Sequence, residues 1–527
     1  MDGRPRLRPW AVERGAAPVP AVVPDLGRAG YASGLALAAA IALALRLQRV
    51  LAADFPLHDG GLIYAMVRDL QAAGFRLPLH SSYNGGQVPF AYPPLALYLA
   101  AALDRLTPAS ALDVLRFLPL AFSLLTVAAF ALLARSLLPT RGAALVATLL
   151  FAAYSEAFAW FIMGGGLPRS LGLLFALLSL LWLHRLYREG RPSLGWAAGV
   201  AGGLSLLSHV EMAWFLGLSG LVLFLVEARS PAALRGTALA TLVAVAVSAP
   251  WWGTVLARYG PDTLLAPGES RALFSVPELS WVFTYHLGAS HPFTVIFALA
   301  MLGALTSLLQ GGRWLVLWLA AGAFAAPWLF PRLTGLPLHL LGGLGWWRLA
   351  RPWGTGAAAV GASALALALT VVTAAGPLPV VEPLSRDARE AMGWAAANTP
   401  PDARFLVVEN RSWWDNVAAE WLPALSGRLS AVTPQGLEWV PGAFVPRRDA
   451  YESLQQCAEQ GVECLGLWEA ETGIAYDYVF VSKEVPYHLR RQGYQDCCGP
   501  LRDSLRQSLL FETVYDGAGA TIFRRLP

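Results

Sequence analysis

Lysine is almost missing from this sequence. Of 39 basic residues, Lys483 is the one lysine, and the rest are arginine. A lysine nucleophile or Schiff base is therefore excluded from the first 482 residues. Charge of either sign is also scarce, at 14% of 527 residues against about 25% in an average soluble domain. With 56% hydrophobic residues, a soluble globular protein and a disordered chain are both excluded. Short alternating strands are missing too, which excludes a spanning β-barrel. The class that remains is an α-helical polytopic membrane protein. Cysteine is limited to Cys457, Cys464, Cys497 and Cys498. Their spacing does not fit a zinc site well. In an oxidising compartment a Cys457 bond to Cys497 or Cys498 is expected, with free thiols as the alternative. The net charge of +4 does not indicate nucleic acid, because the arginines mark membrane topology.

Residues 1–29 are rich in arginine and proline without an apolar core, and read as a cytoplasmic tail. Apolar runs follow at 30–51, 112–134, 142–162, 170–183, 194–209, 211–226, 236–256, 293–310, 314–331, 335–350 and 354–376. Arg46 and Arg49 in the first run are expected to snorkel. If 93–104 lies on the outer face as an apolar helix, Arg135/Arg141, Arg185/Arg188/Arg191, Arg229/Arg235, Arg313 and Arg348/Arg351 all fall on the side of the basic tail. This gives about 11 spans across 30–377, in the cytoplasmic membrane, with the N-terminus inside. Outer loops lie at 52–111 and 257–292, with a short turn at 164–169. The more polar segment 378–527 is expected to be an extracytoplasmic α/β domain, with a helix at 385–397, strands at 405–408 and 478–481, and a hairpin at Asp516-Gly517.

The first outer loop opens Asp54-Phe55-Pro56-Leu57-His58-Asp59-Gly60-Gly61. An amphipathic helix follows, with Leu62, Ile63, Met66, Val67 and Leu70 on one face and Tyr64, Arg68 and Gln71 on the other. It is expected to lie in the membrane interface. Asp59 precedes it, next to His58. A carboxylate there can take a proton from a hydroxyl, hold a divalent cation such as Mg or Mn, or simply cap the helix.

An acid after the first span, interfacial helices, a Tyr92-Pro93-Pro94-Leu95 segment, many spans and an outward C-terminal domain together resemble the GT-C superfamily of glycosyltransferases. The resemblance implies a polyprenyl-phosphate-linked sugar donor, membrane lipid as surroundings, and a glycan, lipid or protein acceptor. It places Asp59 where the family has its first-loop catalytic acid. Trp413-Trp414-Asp415 is similar to the Trp-Trp-Asp motif with which oligosaccharyltransferases read an acceptor. Asn416 follows here in place of Tyr-Gly, the turn at 164–169 lacks the Asp-x-Glu pair, and Tyr92 stands where the lipid A transferases have a lysine. From the residues alone, Trp413 to Asp415 either bind a hydroxyl-bearing acceptor, with Tyr92 near, or pack in the core and cap a helix at 416–421.

Other ionisable residues gather at the same outer depth. Glu156, His209 and Glu211 lie there, the last two at a break in the 194–226 run, and Glu211 and Glu156 are the next candidates for a base. Arg169 is expected to meet the lipid phosphate or a headgroup, and Arg271, His286, His291 and His209 are further candidates for that phosphate. Trp251-Trp252 and Trp346-Trp347 read as interfacial belt residues. The rival reading is a transporter or flippase, which would place its site on broken helices at mid-membrane.

Overall fold

A computed structural model describes residues 25–269, 294–309, 313–325, 333, 335–376 and 382–527. Helices α1 (Arg28–Ala52), α2 (Gly61–Ala72), α3 (Leu95–Leu106), α4 (Ala111–Leu137), α5 (Arg141–Ala153), α6 (Gly166–Glu189), α7 (Leu194–Ser208), α8 (Val210–Glu227) and α9 (Pro231–Tyr259) come first. Further helices cover Thr294–Leu309, Trp314–Ala325, Gly335–Ala350 and Thr355–Ala375. Among the described residues six helices are long and apolar enough to cross a membrane, or seven if a bent pair counts as one. Among the described residues Leu194–Ser208, Thr294–Leu309 and Trp314–Phe324 are shorter apolar helices.

The bent pair corrects the expected span at 142–162. The chain turns by 86° between Arg141–Ala153 and Ser155–Phe161. Ser155 and Glu156 stand at this bend, but the apolar residues on both sides of them read as one continuous run. The α5 helix is buried on every side, as a helix apolar all round must be. Glycines let its neighbours approach: a Cβ on Gly343 would stand 2.5 Å from the Ala143 carbonyl oxygen.

Arg46 does not snorkel. Its side chain is fully buried, donating to Ser123 Oγ at 3.0 Å and to the Ala152 carbonyl at 3.1 Å, with its guanidinium over the Phe158 ring. Three neutral partners hold it more cheaply than lipid could. Trp251 and Trp347 likewise sit inside the protein rather than in an interfacial belt, and Trp251 Nε1 donates to Ala91 O.

Helix contacts sort the connections into two ends. Asp25 pairs with Arg141, Ser136 with His184, and Tyr187 with Thr237 at one end. Residues 54–61, 154–166 and 208–211 lie at the other. The α3 helix, 12 residues long, packs on α2 through Leu97, Ala100 and Ala101.

The segment from 386 onward is built on a five-stranded sheet. Its strands are β1 (Arg404–Val408), β2 (Leu429–Ser430), β3 (Tyr478–Ser482), β4 (Phe511–Asp516) and β5 (Ala520–Arg525), in the order β2-β1-β3-β5-β4. Strands β2, β1 and β3 are parallel, and the β4–β5 hairpin closes the sheet antiparallel at Asp516-Gly517. Continuous apolar runs in β1 and β3 match burial on both faces. The disulfides correct the expected pairing: Cys457 joins Cys464, and Cys497 joins Cys498.

This sheet domain seats directly on the first loop. Phe55 meets the Trp421 ring edge-on at 4.7 Å, Arg389 pairs with Asp54, and Asn84 exchanges two hydrogen bonds with the Ser430 backbone. Helix Ala418–Ser426 covers α2. The apolar face of α2 (Leu62, Ile63, Met66, Val67, Leu70) is thus covered by protein and not by the expected membrane interface.

Candidate active site

Two short segments lie side by side at the 54–61 end. Gly164 N donates to Leu57 O at 2.9 Å, and Gly165 N donates to both Asp59 O and Asp59 Oδ1 at 3.0 Å. Only glycine permits this approach: a Cβ on Gly165 would stand 2.8 Å from Asp59 Cγ. One turn into α6, Arg169 reaches Asp59 Oδ2 at 2.5 Å and donates to Trp160 O at 3.1 Å. Its guanidinium also lies 5.6 Å from the Trp160 ring centre. Both partners keep some exposure, 18% for Asp59 and 16% for Arg169.

Asp59 is not a helix cap. The cap position is Gly60, and no side chain on the 54–60 segment caps α2. The carboxylate that meets the α2 amides is Glu420, whose Oε1 accepts from Gly60 N at 3.1 Å and Leu62 N at 3.4 Å. Nothing in the sequence pattern marks Glu420, which stands 360 residues from the loop it binds.

Tyr92 faces the same pair. Burial above all, then the carboxylates of Glu211, Glu438 and Asp59, raise its hydroxyl pKa against the pull of Arg169. Its ring lies 6.0 Å from His209 and 5.9 Å from Trp439. The structure therefore brings Asp59, Arg169, Tyr92, His209 and Glu211 together and adds Glu438 and Trp439 from the sheet domain. His209 itself is extended, and separates α7 from α8. Glu156 lies half-buried on the 155–157 turn past the bend. Arg271, His286 and His291 lie outside the described residues.

The Trp413-Trp414-Asp415 segment divides. Trp413 packs edge-on against Phe444 at 5.1 Å, inside the sheet domain. Trp414 is 47% exposed and 6.3 Å from Trp160, beside the Asp59–Arg169 pair. Asp415 turns toward the first loop: its Oδ1 lies 3.2 Å from His58 Nε2 and its Oδ2 3.2 Å from Arg411. Burial would raise its carboxyl pKa, but the hydrogen bonds from His58 and Arg411 hold it below the usual value. Asp415 does not cap the following helix. Buried Glu409 does, accepting from Val417, Ala418 and Ala419 N–H at 3.1–3.3 Å.

Among the described residues no three His, Cys, Asp or Glu side chains converge as metal ligands. Asp59, the one candidate ligand, already has its two oxygens engaged by Arg169 and Gly165. Among the described residues Asp59 therefore offers a divalent cation no unengaged carboxylate oxygen.

Residues 91–253 match the family of dolichyl-phosphate-mannose-protein mannosyltransferases. No curated protein sequence matches the chain. Among solved structures, the arabinofuranosyltransferase AftD from Mycobacteria superposes with a TM-score of 0.58 at 18% identity, covering 96% of this chain and 40% of its own. This chain thus spans well under half of that relative's length. The archaeal oligosaccharyltransferase AglB from Archaeoglobus fulgidus, in complex with an inhibitory peptide and a dolichol-phosphate, gives 0.55 at 15% identity, covering 86% and 69%. ArnT from Cupriavidus metallidurans gives 0.54 at 14% identity, covering 94% and 98%, and its form bound to undecaprenyl phosphate gives 0.51. The fold of the chain is thus similar to that of these solved membrane glycosyltransferases, and the family match covers 91–253.

Proposed function

We propose that the protein transfers a sugar from a polyprenyl-phosphate carrier to a hydroxyl-bearing acceptor. The observation that carries this reading is the Asp59–Arg169 pair, held by the Gly164-Gly165 turn beside the exposed ring of Trp414. Asp59 takes the proton of the acceptor hydroxyl as its oxygen bonds to the anomeric carbon. The bond from that carbon to the phosphate oxygen breaks, and its electron pair leaves with the lipid phosphate. Attack from the opposite face inverts the anomeric centre. Arg169 serves both charges, orienting Asp59 in the resting site and pairing with the phosphate as it departs.

The solved relatives in complex with a dolichol-phosphate or bound to undecaprenyl phosphate support a lipid-phosphate donor. The helix ends support the orientation: the arginine-bearing connections share one end, read as cytoplasmic, and the site with the sheet domain lies at the other. Eleven crossings are retained in this reading, with shorter helices completing the set. A transporter would use the α7–α8 break at mid-membrane, whereas His209 here lies level with Tyr92 at the bundle's end.

The test is transfer by the full chain in lipid vesicles, with undecaprenyl-phosphate-linked mannose as donor probe and released undecaprenyl phosphate as readout. Asp59→Asn is expected to fold and to lose turnover by at least about 100-fold. Retention of near-normal turnover would move the base to Glu211 or Glu156.

A further inference from the structure

Residues 58–62 are held in place from the sheet domain. Trp421 Nε1 donates to His58 O at 2.7 Å, Glu420 Oε1 accepts from Gly60 N and Leu62 N, and the Tyr83 hydroxyl donates to Glu420 O at 2.8 Å. The backbone there admits no other residue. Gly60 has φ +137°, and a Cβ on Gly61 would stand 2.6 Å from Glu420 O. Glu420 is 3% exposed, and its second oxygen, Oε2, has no hydrogen-bond partner among the described residues.

A buried carboxylate with an orphan oxygen is costly, whereas a neutral carboxylic acid is much less so. The charged and titratable groups that face it are Asp59 on the loop and Arg169 on α6, with Tyr83 bonded to its backbone and Glu438 beyond Tyr83. Arg169 is already matched by Asp59, which leaves Glu420 without a cation of its own. Burial first, then the Asp59 carboxylate, push the Glu420 carboxyl up to about 8.

We infer that Glu420 is a positioning residue for the transfer reaction: as a neutral acid on the sheet domain, it holds the backbone at Gly60 and Leu62 and so sets the Asp59 carboxylate against Arg169. The inference rests on Asp59 acting as the base. It makes the sheet domain part of the catalytic machinery, because the base is aimed from a helix beginning 359 residues later in the chain. Oε1 accepts the two N–H groups whether the acid is neutral or charged. Neutrality keeps a second negative charge away from the Asp59–Arg169 pair.

The test uses the full chain in vesicles with the same donor probe and compares Glu420→Ala, Glu420→Gln and Asp59→Asn. Glutamine keeps a carbonyl for both N–H groups and is neutral at every pH, so it is expected to retain turnover within about twofold. Alanine is expected to lower kcat by about 100-fold with little change in donor KM, the scale of a misplaced catalytic group. Hydrogen exchange in the peptide covering 58–66 should rise about tenfold in Glu420→Ala and stay at the parent level in Glu420→Gln. The infrared band of a protonated carboxyl, present in the parent at neutral pH, should be missing in Glu420→Gln.

The inference is overturned if Glu420→Ala leaves exchange and kcat unchanged, or if Glu420→Gln is as impaired as alanine. An inactive Asp59→Asn beside a normal Glu420→Ala would remove this inference alone. An active Asp59→Asn would remove the base assignment, and this inference with it.

Discussion

Asp415 Oδ1 lies 3.2 Å from His58 Nε2, so the Trp-Trp-Asp segment of the sheet domain is fastened to the residue immediately before Asp59. Arg411 holds the other oxygen of Asp415 and also pairs with Glu382 at 3.5 Å. This arrangement makes Asp415 part of a clasp between the sheet domain and the first loop.

Removing that clasp should be felt in stability as well as in turnover. Asp415→Ala takes one carboxylate from buried Arg411 and the partner from His58, at a cost of about 2 kcal/mol. The expected result is a lower thermal midpoint and a lower kcat, with donor KM unchanged. A rise in acceptor KM alone, with parental stability, would show that Asp415 reads the acceptor directly.

The glycine turn gives a sharper test of position. Gly165 has an ordinary φ of −73°, so alanine fits its backbone, but the added Cβ would press on the Asp59 carboxylate at 2.8–2.9 Å. Gly165→Ala should therefore cut turnover by about 100-fold while the fold survives. Gly393→Ala is the control, since a Cβ there meets nothing within 4 Å, and it should be neutral or slightly stabilising. Parental turnover from Gly165→Ala would mean that the site tolerates a displaced carboxylate.

Much of this site is legible in the sequence, and the missing parts share one reason. Asp59, Arg169, His209 and Glu211 stand out because charge in an apolar context is rare and costly. Glu409, Glu420 and Glu438 sit in a segment where carboxylates are ordinary; Glu409 is turned inward by the helix it caps, and Glu420 by the seating of the sheet domain on the first loop. The two-residue β2 is too short to leave a period, and its register is set by its pairing to β1. Periodicity shows that α2 has an apolar face, but not that Ala418–Ser426 and α3, rather than lipid, cover it. The Cys457–Cys464 bridge is local, closing the turn between two helices, and cysteine spacing alone does not separate that from a longer link.

Glu420 also predicts a pH dependence with a definite sign. Its carboxyl titrates near 4.5 when unfolded and at about 8 in the fold. A raised value stabilises the fold fully below the unfolded pKa, and this contribution is lost as pH rises toward the folded pKa. Glu420→Gln should therefore gain on the parent in thermal midpoint between about pH 5 and pH 8, then hold level above that. A constant difference across this range would show that Glu420 is ionised throughout.

The orientation is open to labelling, because all four native cysteines are paired. Single cysteines at the exposed positions Pro139, Gly190 and Arg229 should be shielded from an impermeant thiol reagent in intact cells. Cysteines at exposed Gln87 and Asp449 should react. Labelling at 190 with shielding at 87 would invert the arrangement.

The most direct measurement of the central claim is a structure of the full chain with undecaprenyl phosphate. The phosphate is expected within about 3 Å of the Arg169 guanidinium, beside Asp59 and below Trp414. A phosphate bound at the far end of the bundle, with Arg169 still committed to Asp59 and Trp160 O, would contradict it.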